Sequence, residues 1–269
     1  MPNDFADFLS GRKLYGDDFG PDEIKAWFAD EAEGYANLFA KDKEHYSYGY
    51  HELNRSHGFR FIADRKFERA LGIGSAYGDE FAPIARNIRE ITILEPSKAY
   101  GDATRILGTP CRYRCPDPSG DIPFEDAAFD LITSFGVMHH IPNVSHVLRE
   151  CARCMQANGI MLLRDPITSL GDWRRPRTGL TKRERGIPLP IFDRMVDAAG
   201  FTVVRRSLCV FAPLERLADR LGVVIYNDRS LTWLDGLLSR AFAWNVSYHR
   251  TRLIDKFAPA AVYWILTKR

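Results

Sequence analysis

Nothing in this sequence approaches the roughly 20 consecutive apolar residues that a membrane-crossing helix needs, so no membrane span is expected. Neither sign of charge dominates. Lys and Arg number 37 against 35 Asp and Glu, a formal net charge of +2 that by itself points to neither a nucleic acid nor a charged membrane surface as partner. Cysteine is sparse: five in 269 residues, an odd number spread along the chain, argues for reduced thiols in a cytoplasmic setting rather than a disulfide framework. Cys151 and Cys154 have a metal-like spacing, but they lie in a helical pattern with no second pair nearby. Cys111 and Cys115 have strand-like surroundings, and no metal site is expected at either pair. The opening residues, Met1-Pro2-Asn3-Asp4-Phe5, have neither the basic start nor the apolar core of a signal peptide. Repeats and low-complexity tracts are missing too.

What is present is an ordinary globular composition, 45% hydrophobic and 27% charged, in a chain long enough for one elaborated domain or two small ones. It is organised around one stretch. An apolar run from Phe67 to Ile73 enters a turn marked by Gly72, Gly74 and Gly78, and a second run, Ile91 to Leu94, ends in Glu95. Strand, glycine turn, helix and strand with a terminal acid make half of a nucleotide-binding sheet, in which the acid accepts hydrogen bonds from ribose hydroxyls. Strands are expected at 67–73, 91–95, 111–115, 129–135, 160–164, 202–210 and 260–267, with helices near 79–89, 97–106, 143–156 and 189–199. Asn158-Gly159 reads as a helix stop before the strand at 160, as Gly200 does before Phe201. The alternation implies an α/β, Rossmann-like, doubly wound and mostly parallel sheet of seven strands. Residues 1–58 read as an N-terminal helical cap, carrying Ile24, Trp27, Phe28, Tyr35, Leu38 and Phe39 at mostly helical spacing. The tyrosine-rich stretch from His45 to His51 reads either as an aromatic cover over the core or as a lid over the ligand crevice. Residues 59–269 form the main domain, with insertions 165–188 and 212–258 after the fifth and sixth strands, placed to build a substrate pocket.

Glycine spacing separates two cofactor classes. A dinucleotide turn wants its third glycine three residues after the second, but that place is Tyr77 and the glycine follows at Gly78, which suits S-adenosylmethionine better. Downstream come Gly120-Asp121-Ile122-Pro123-Phe124, then Phe129-Asp130-Leu131-Ile132-Thr133-Ser134-Phe135, then Gly136-Val137-Met138-His139-His140-Ile141-Pro142. With these in order, the chain resembles a class I S-adenosylmethionine-dependent methyltransferase over residues 59–210. The segments Asp165 to Arg174 and Gly179 to Pro188, with Glu31-Ala32-Glu33-Gly34-Tyr35 and Tyr248-His249-Arg250, resemble a bacterial subgroup associated with surface-polysaccharide biosynthesis. The family resemblance implies that the turn from Gly72 through Gly74 and Ser75 to Gly78 lines the methionine and ribose side. It implies further that Glu95 holds the ribose, Pro96 flanks the adenine, and Ser134 and Phe135 pass beside the sulfonium. Asp117 is expected at the adenine amino group, with Asp121 as competitor. The chain departs from the family at Gly72, where an acid is usual, and at Ala76, where glycine is frequent; Glu80 or an N-terminal residue could supply the missing carboxylate.

For the transfer step, His139 and His140 are the candidate bases, since histidine titrates near neutral pH, the other reading being that one of them is a packed helix-start residue with a satisfied hydrogen bond; Asp165 and His249 stand behind them. The arginine-rich run 164–185 reads either as a solvated loop or as the grip on an anionic acceptor. Tyr48, Trp173, Arg174, Arg175 and His249 are its expected contacts. The resulting expectation is a cytoplasmic enzyme that O-methylates a small molecule, a sugar hydroxyl of a surface glycan or its precursor, without a nucleic-acid partner. A homodimer through residues 212–258 is compatible with it. A nicotinamide-dependent sugar oxidoreductase and a non-catalytic S-adenosylmethionine-binding module are the rivals.

Overall fold

A computed structural model describes residues 2–38, 46–97, 100 and 103–269. Phe39 and His45 lie outside the described residues, as do the side chains of Tyr35 and Leu38. The strands are β1 (Phe67–Ile73), β2 (Ile88–Leu94), β3 (Arg105–Ile106), β4 (Thr109–Arg114), β5 (Phe129–Phe135), β6 (Met155–Pro166), β7 (Phe201–Phe211) and β8 (Pro259–Lys268). They form one sheet in the order β3-β4-β2-β1-β5-β6-β8-β7. The expected seven, mostly parallel strands are corrected to eight in a mixed sheet. Strands β4, β2, β1, β5 and β6 run parallel, β8 is antiparallel to both β6 and β7, and β3 is antiparallel to β4. The added strand has two residues and doubles back through Leu107 and Gly108, both at positive φ, which is too short to leave a periodic signature. Strand order reverses beside β1, so β2 and β5 flank it and a crevice opens beyond their carboxyl ends.

The central strands are buried on both faces and read as continuous apolar runs. Successive residues enter opposite layers: Ile132, Leu163 and Trp264 pack on one side, Leu131, Leu162 and Tyr263 on the other. The helices are α1 (Pro2–Leu9), α2 (Pro21–Leu38), α3 (His51–His57), α4 (Val144–Cys154), α5 (Leu189–Ala198), α6 (Ala212–Leu221) and α7 (Arg229–Ala241). The helix expected at 79–89 is instead two single 3-10 turns, Asp79–Phe81 and Ala85–Asn87, because Pro83 lacks the amide that a continuous helix requires. Of the helix expected at 97–106, the described residues show none, and the chain is already a strand at Arg105. Helix α4 ends at Cys154 and β6 starts at Met155, so Asn158-Gly159 lies inside the strand, where its pairing with β5 shifts register. All five cysteines are free, and no helix among the described residues is long and apolar enough to cross a membrane.

The 212–258 insertion is pinned to the sheet by one buried carboxylate. Asp235 on α7 accepts the amides of Val210 (3.0 Å) and Phe211 (2.6 Å) at the end of β7, and the Tyr226 hydroxyl (3.3 Å). Val210 has φ +63°, so this amide pair sits in a conformation that the carboxylate helps to hold. Each buried amide left unsatisfied costs about 1–3 kcal/mol. Asp235→Ala is therefore expected to lower stability by roughly 2–4 kcal/mol in urea unfolding, whereas an unchanged midpoint would show that the insertion is held some other way.

Candidate active site

Two cavities open beyond the carboxyl ends of the parallel strands, and both are lined by Gly136 and His140. The first runs past Gly74, Glu95, Pro96, Asp117, Asp121 and Val137. Gly74, after β1, has φ +62°, and a Cβ there would stand 2.7 Å from the Val137 side chain, so only glycine lets the turn pass. Glu95, just past β2, accepts the amides of Ala76 (3.2 Å) and Ser97 (3.1 Å), and burial pushes its carboxyl up to about 7. A carboxylate has lone pairs to spare beyond those two bonds. Asp117 is exposed and turned onto the Ser119 amide, whereas Asp121 takes His146 Nε2 at 2.7 Å.

Beneath the turn lies a buried polar group. Glu80 Oε1 accepts from Ser75 Oγ (3.0 Å) and Thr133 Oγ1 (2.6 Å), and burial pushes the acid up to about 7. A Cβ at Gly72 would stand 2.2 Å from Ser75 Oγ. Gly72, Ser75, Gly78 and Ser134 therefore shape the turn and strand from beneath, and none of them lines either cavity. Ala76 holds φ +45°, which explains why glycine is common at that place in the resembling family.

The second cavity, about 650 Å³, is lined by Tyr46, Tyr48, Tyr50, Phe135, His139, Arg164, Asp165, Glu184 and Glu215 among others. His139 sits between two carboxylates. Its Nδ1 and backbone amide meet Asp165 at 2.7 and 3.0 Å, and its Nε2 lies 3.3 Å from Glu184. Burial alone would depress this imidazole, but the bonds and charges of Asp165 and Glu184 outweigh it and hold His139 at about 9. His140, with its ring centroid 4.0 Å away, shifts the other way. Burial and then the charge on His139 hold it below its ordinary value, while Nδ1 meets Glu31 of α2 at 2.8 Å. Glu31 also accepts Thr181 Oγ1 and the Arg183 amide, joining the cap to the 165–188 insertion.

Arg185 fixes the turn that carries both histidines. Its fully buried guanidinium donates to the carbonyls of Tyr15, His139, Ile141 and Pro142 at 2.9–3.1 Å. Arg164, at the end of β6, is also buried; it stacks 4.0 Å from the Tyr50 centroid, and its Nε has no partner.

Of the expected acceptor contacts, only Tyr48 lines this cavity. Trp173 is buried against Tyr15 and Phe5; Arg174 is forked onto Asp172 and covers Phe5. Arg175 is 83% exposed, and His249 Nδ1 meets Ser169 Oγ at 2.8 Å. These four line neither cavity. Arg164 is the one basic residue of the arginine-rich run that lines this cavity, and its signal was available: like Glu95, it is a charged residue toward the carboxyl end of an apolar strand. Glu31 and Glu184 had no such signal, because their partners are far away in sequence.

His139, His140 and Glu184 could also present one ligand atom each within 4.8 Å of one another. A cation fits poorly there, because both ring nitrogens of His139 face carboxylates that keep the ring protonated.

A family model described as a methyltransferase domain matches residues 71–163, which run from Leu71 in β1 to Leu163 in β6 and include the whole glycine turn, Glu95, Asp117 and both histidines. This chain carries a class I S-adenosylmethionine-dependent methyltransferase domain. S-adenosylmethionine is accordingly its cofactor, and of the residues lining the first cavity Glu95, past β2, would suit it, since its carboxylate has lone pairs left for ribose hydroxyls beyond the two amides it accepts. The chain is 28% identical over 202 residues to a ubiquinone biosynthesis O-methyltransferase of Rhodopseudomonas palustris, covering 63% of this chain and 77% of that protein. It is 30% identical over 139 residues to a glycine/sarcosine/dimethylglycine N-methyltransferase of Actinopolyspora halophila, covering 49% of this chain but only 23% of that protein's length. In fold it is similar to an S-adenosylmethionine-dependent methyltransferase of Leishmania major, with TM-score 0.56, 12% identity, and 90% and 83% of the two chains covered.

The titration shifts fix the pH response of the ligand-free methyltransferase. Glu80, Glu95 and Glu215 are raised by burial from 4.5 to about 7, so the stability tied to them is present below 4.5 and lost as pH rises through about 7. His139 is raised from 6.5 to about 9, and its contribution is lost as pH rises through about 9. Glu184 is held down from 4.5 to about 2 by His139 despite its burial, so its contribution is lost as pH falls through about 2. His57, pushed down to about 4, opposes the glutamates below pH 6.5, so the unopposed interval lies higher, and thermal melting should fall from about pH 7 to pH 9. A Tm that climbs over that interval would contradict these assignments.

Proposed function

We propose that this methyltransferase domain methylates a hydroxyl oxygen of a small anionic acceptor bound in the second cavity, a sugar hydroxyl of a glycan precursor being the reading favoured, with His140 as the base. The observation that carries this is the opposite displacement of two adjacent histidines. Both were expected to titrate near neutral pH; instead His139 is held at about 9 and His140 below its ordinary value. Neighbouring groups driven apart in this way divide acid and base roles between them. A protonated His139 has no lone pair to offer. His140 is neutral near pH 7, and with its proton on Nδ1 toward Glu31 its lone pair is on Nε2. It also lines both cavities, so it stands where donor and acceptor meet.

Bound S-adenosylmethionine supplies a methyl group already activated on a sulfonium. The chain's own task is then alignment, which contributes up to about 7–11 kcal/mol, and removal of the hydroxyl proton, which contributes roughly 10²–10⁴ in rate. Arg164 supports an acceptor carboxylate or phosphate, since among the described residues no carboxylate stands within ion-pair distance of its buried guanidinium, Glu215 and Glu80 acting on it only from farther away. Tyr46, Tyr48 and Tyr50 provide flat walls with hydroxyl tips, a chemistry that suits a sugar. The glycan context rests on the resemblance of residues 165–188 and their neighbours. A second reading is transfer to the nitrogen of a small amino acid, with Arg164 on its carboxylate. That reading is supported by the likeness to the glycine/sarcosine/dimethylglycine N-methyltransferase.

Release of S-adenosylhomocysteine across a panel of uronic acids, sugar phosphates and amino acids separates the two readings. With the productive acceptor, His140→Ala should lower kcat by about 10²–10⁴, and a wild-type kcat would remove His140 from the mechanism. His139→Gln takes away the neighbouring positive charge, so the His140 pKa should rise and the acid limb of the kcat profile should move to higher pH. Arg164→Met should raise KM for the anionic acceptor by roughly tenfold or more and leave an uncharged analogue unaffected; equal effects on both would refute an anion contact.

A further inference from the structure

A third cavity, about 730 Å³, lies between α3, β7 and α7, and the methyltransferase reading does not use it. Six arginines line it against one carboxylate, Glu52. Two are neutralised: Arg55 forks onto Glu52 at 2.7 Å, and Arg206 meets Asp193 at 2.5 Å. Among the described residues Arg60, Arg205, Arg229 and Arg240 have no carboxylate within ion-pair distance, and only Arg229 feels Glu52, from farther away and shared with Arg55.

Two of these share one ring. Arg60 and Arg205 each place a guanidinium carbon 4.6 Å from the Phe61 centroid, and Arg205 Nε is buried without a partner. Like charges gathered on a single phenyl group repel one another, and the face of a ring offsets only part of that cost. The field is felt nearby. His57, on the cavity wall with Nδ1 2.7 Å from Ser207 Oγ, is pushed down to about 4 by burial and then by Arg205 and Arg60.

The opposite wall is amphipathic. Arg229, Trp233, Leu237 and Arg240 fall on one face of α7 at helical spacing. Trp233 is 68% and Leu237 50% exposed, and Gly236 between them has nothing within 4 Å of where a Cβ would stand, so the entrance is open there. Guanidinium forks match phosphoryl oxygens in geometry and charge, and an indole with a leucine offers a flat apolar support beside them.

We infer that this cleft is a binding site for a phosphoryl-bearing ligand with an apolar or planar body, separate from the cofactor and acceptor cavities. Helix α3 joins it to the acceptor side: Tyr50, which lines the acceptor cavity, directly precedes the helix whose Glu52, Arg55, Ser56 and His57 line the cleft. The phosphoryl group could belong to a soluble diphosphate or to a lipid headgroup, and the test separates these sources.

The full chain is titrated with inorganic pyrophosphate by calorimetry and, separately, sedimented with phosphatidylcholine vesicles with and without phosphatidic acid. Arg229→Ala/Arg240→Ala is the comparison, since both side chains are exposed and the fold does not depend on them; equal thermal melting confirms that it folds. Saturable pyrophosphate binding weakened by roughly tenfold or more in the double variant supports the site and a soluble source. Sedimentation only with the phosphatidic acid vesicles, lost in the double variant, supports the site and a headgroup source. Binding of neither probe by the wild-type chain, or equal binding by both proteins, overturns the inference.

Discussion

One buried cation, with no carboxylate in ion-pair contact among the described residues, holds the centre of this molecule. Arg185 arrives from the 165–188 insertion and spends its donors on backbone carbonyls, joining Tyr15 of the N-terminal region to His139, Ile141 and Pro142 of the turn after β5. A guanidinium withdrawn from water is costly unless its fork is filled, and four carbonyls aimed inward are equally costly without donors. Each deficit cancels the other, and three segments far apart in sequence acquire one fixed geometry. Trp27 tightens the same knot by donating its indole N–H to the His140 carbonyl at 2.8 Å.

The geometry matters because it places two chemically identical side chains in different electrical surroundings. His139 faces Asp165 on β6 and Glu184 in the insertion; His140 faces Glu31 on α2 and the charge on His139. Burial pushes both imidazoles toward neutrality, and only the one between two carboxylates resists. The Arg185 and Trp27 contacts hold the turn, so the unlike surroundings of the two rings depend on them as much as on the histidines themselves.

Local chemistry was legible in the sequence and long-range chemistry was not. β1 and β5 fall where they were expected, since each is an apolar run bounded by turn residues. Gly74, Glu95 and Asp117 line the first cavity because in a parallel sheet the residue after a strand's carboxyl end faces the crevice, and that position can be counted. The eighth strand and the 3-10 turns after Gly78 escaped because periodicity needs more residues than they have. The arginines of the insertion look alike in sequence. Tertiary packing decides that Arg174 answers Asp172, that Arg185 is buried, and that Arg164, on β6 ahead of the insertion, faces the second cavity. The contact of Glu31 with Thr181 spans 150 positions and carries no local mark.

The departure at Gly72 shows how a missing side chain can be part of the arrangement. β1 pairs Gly72 with Thr133 of β5, and Glu80 reaches that same Thr133 from the loop after the glycine turn. Ser75 Oγ fills the volume that a Cβ at 72 would need and donates to the same carboxyl. An acid on the strand and this Ser75–Glu80–Thr133 group compete for one space, so they are alternatives. Either one puts a carboxyl under the turn. Here it comes from the loop, where its protonation responds to burial rather than to a place in the sheet, and where any charge brought into the crevice above can alter it.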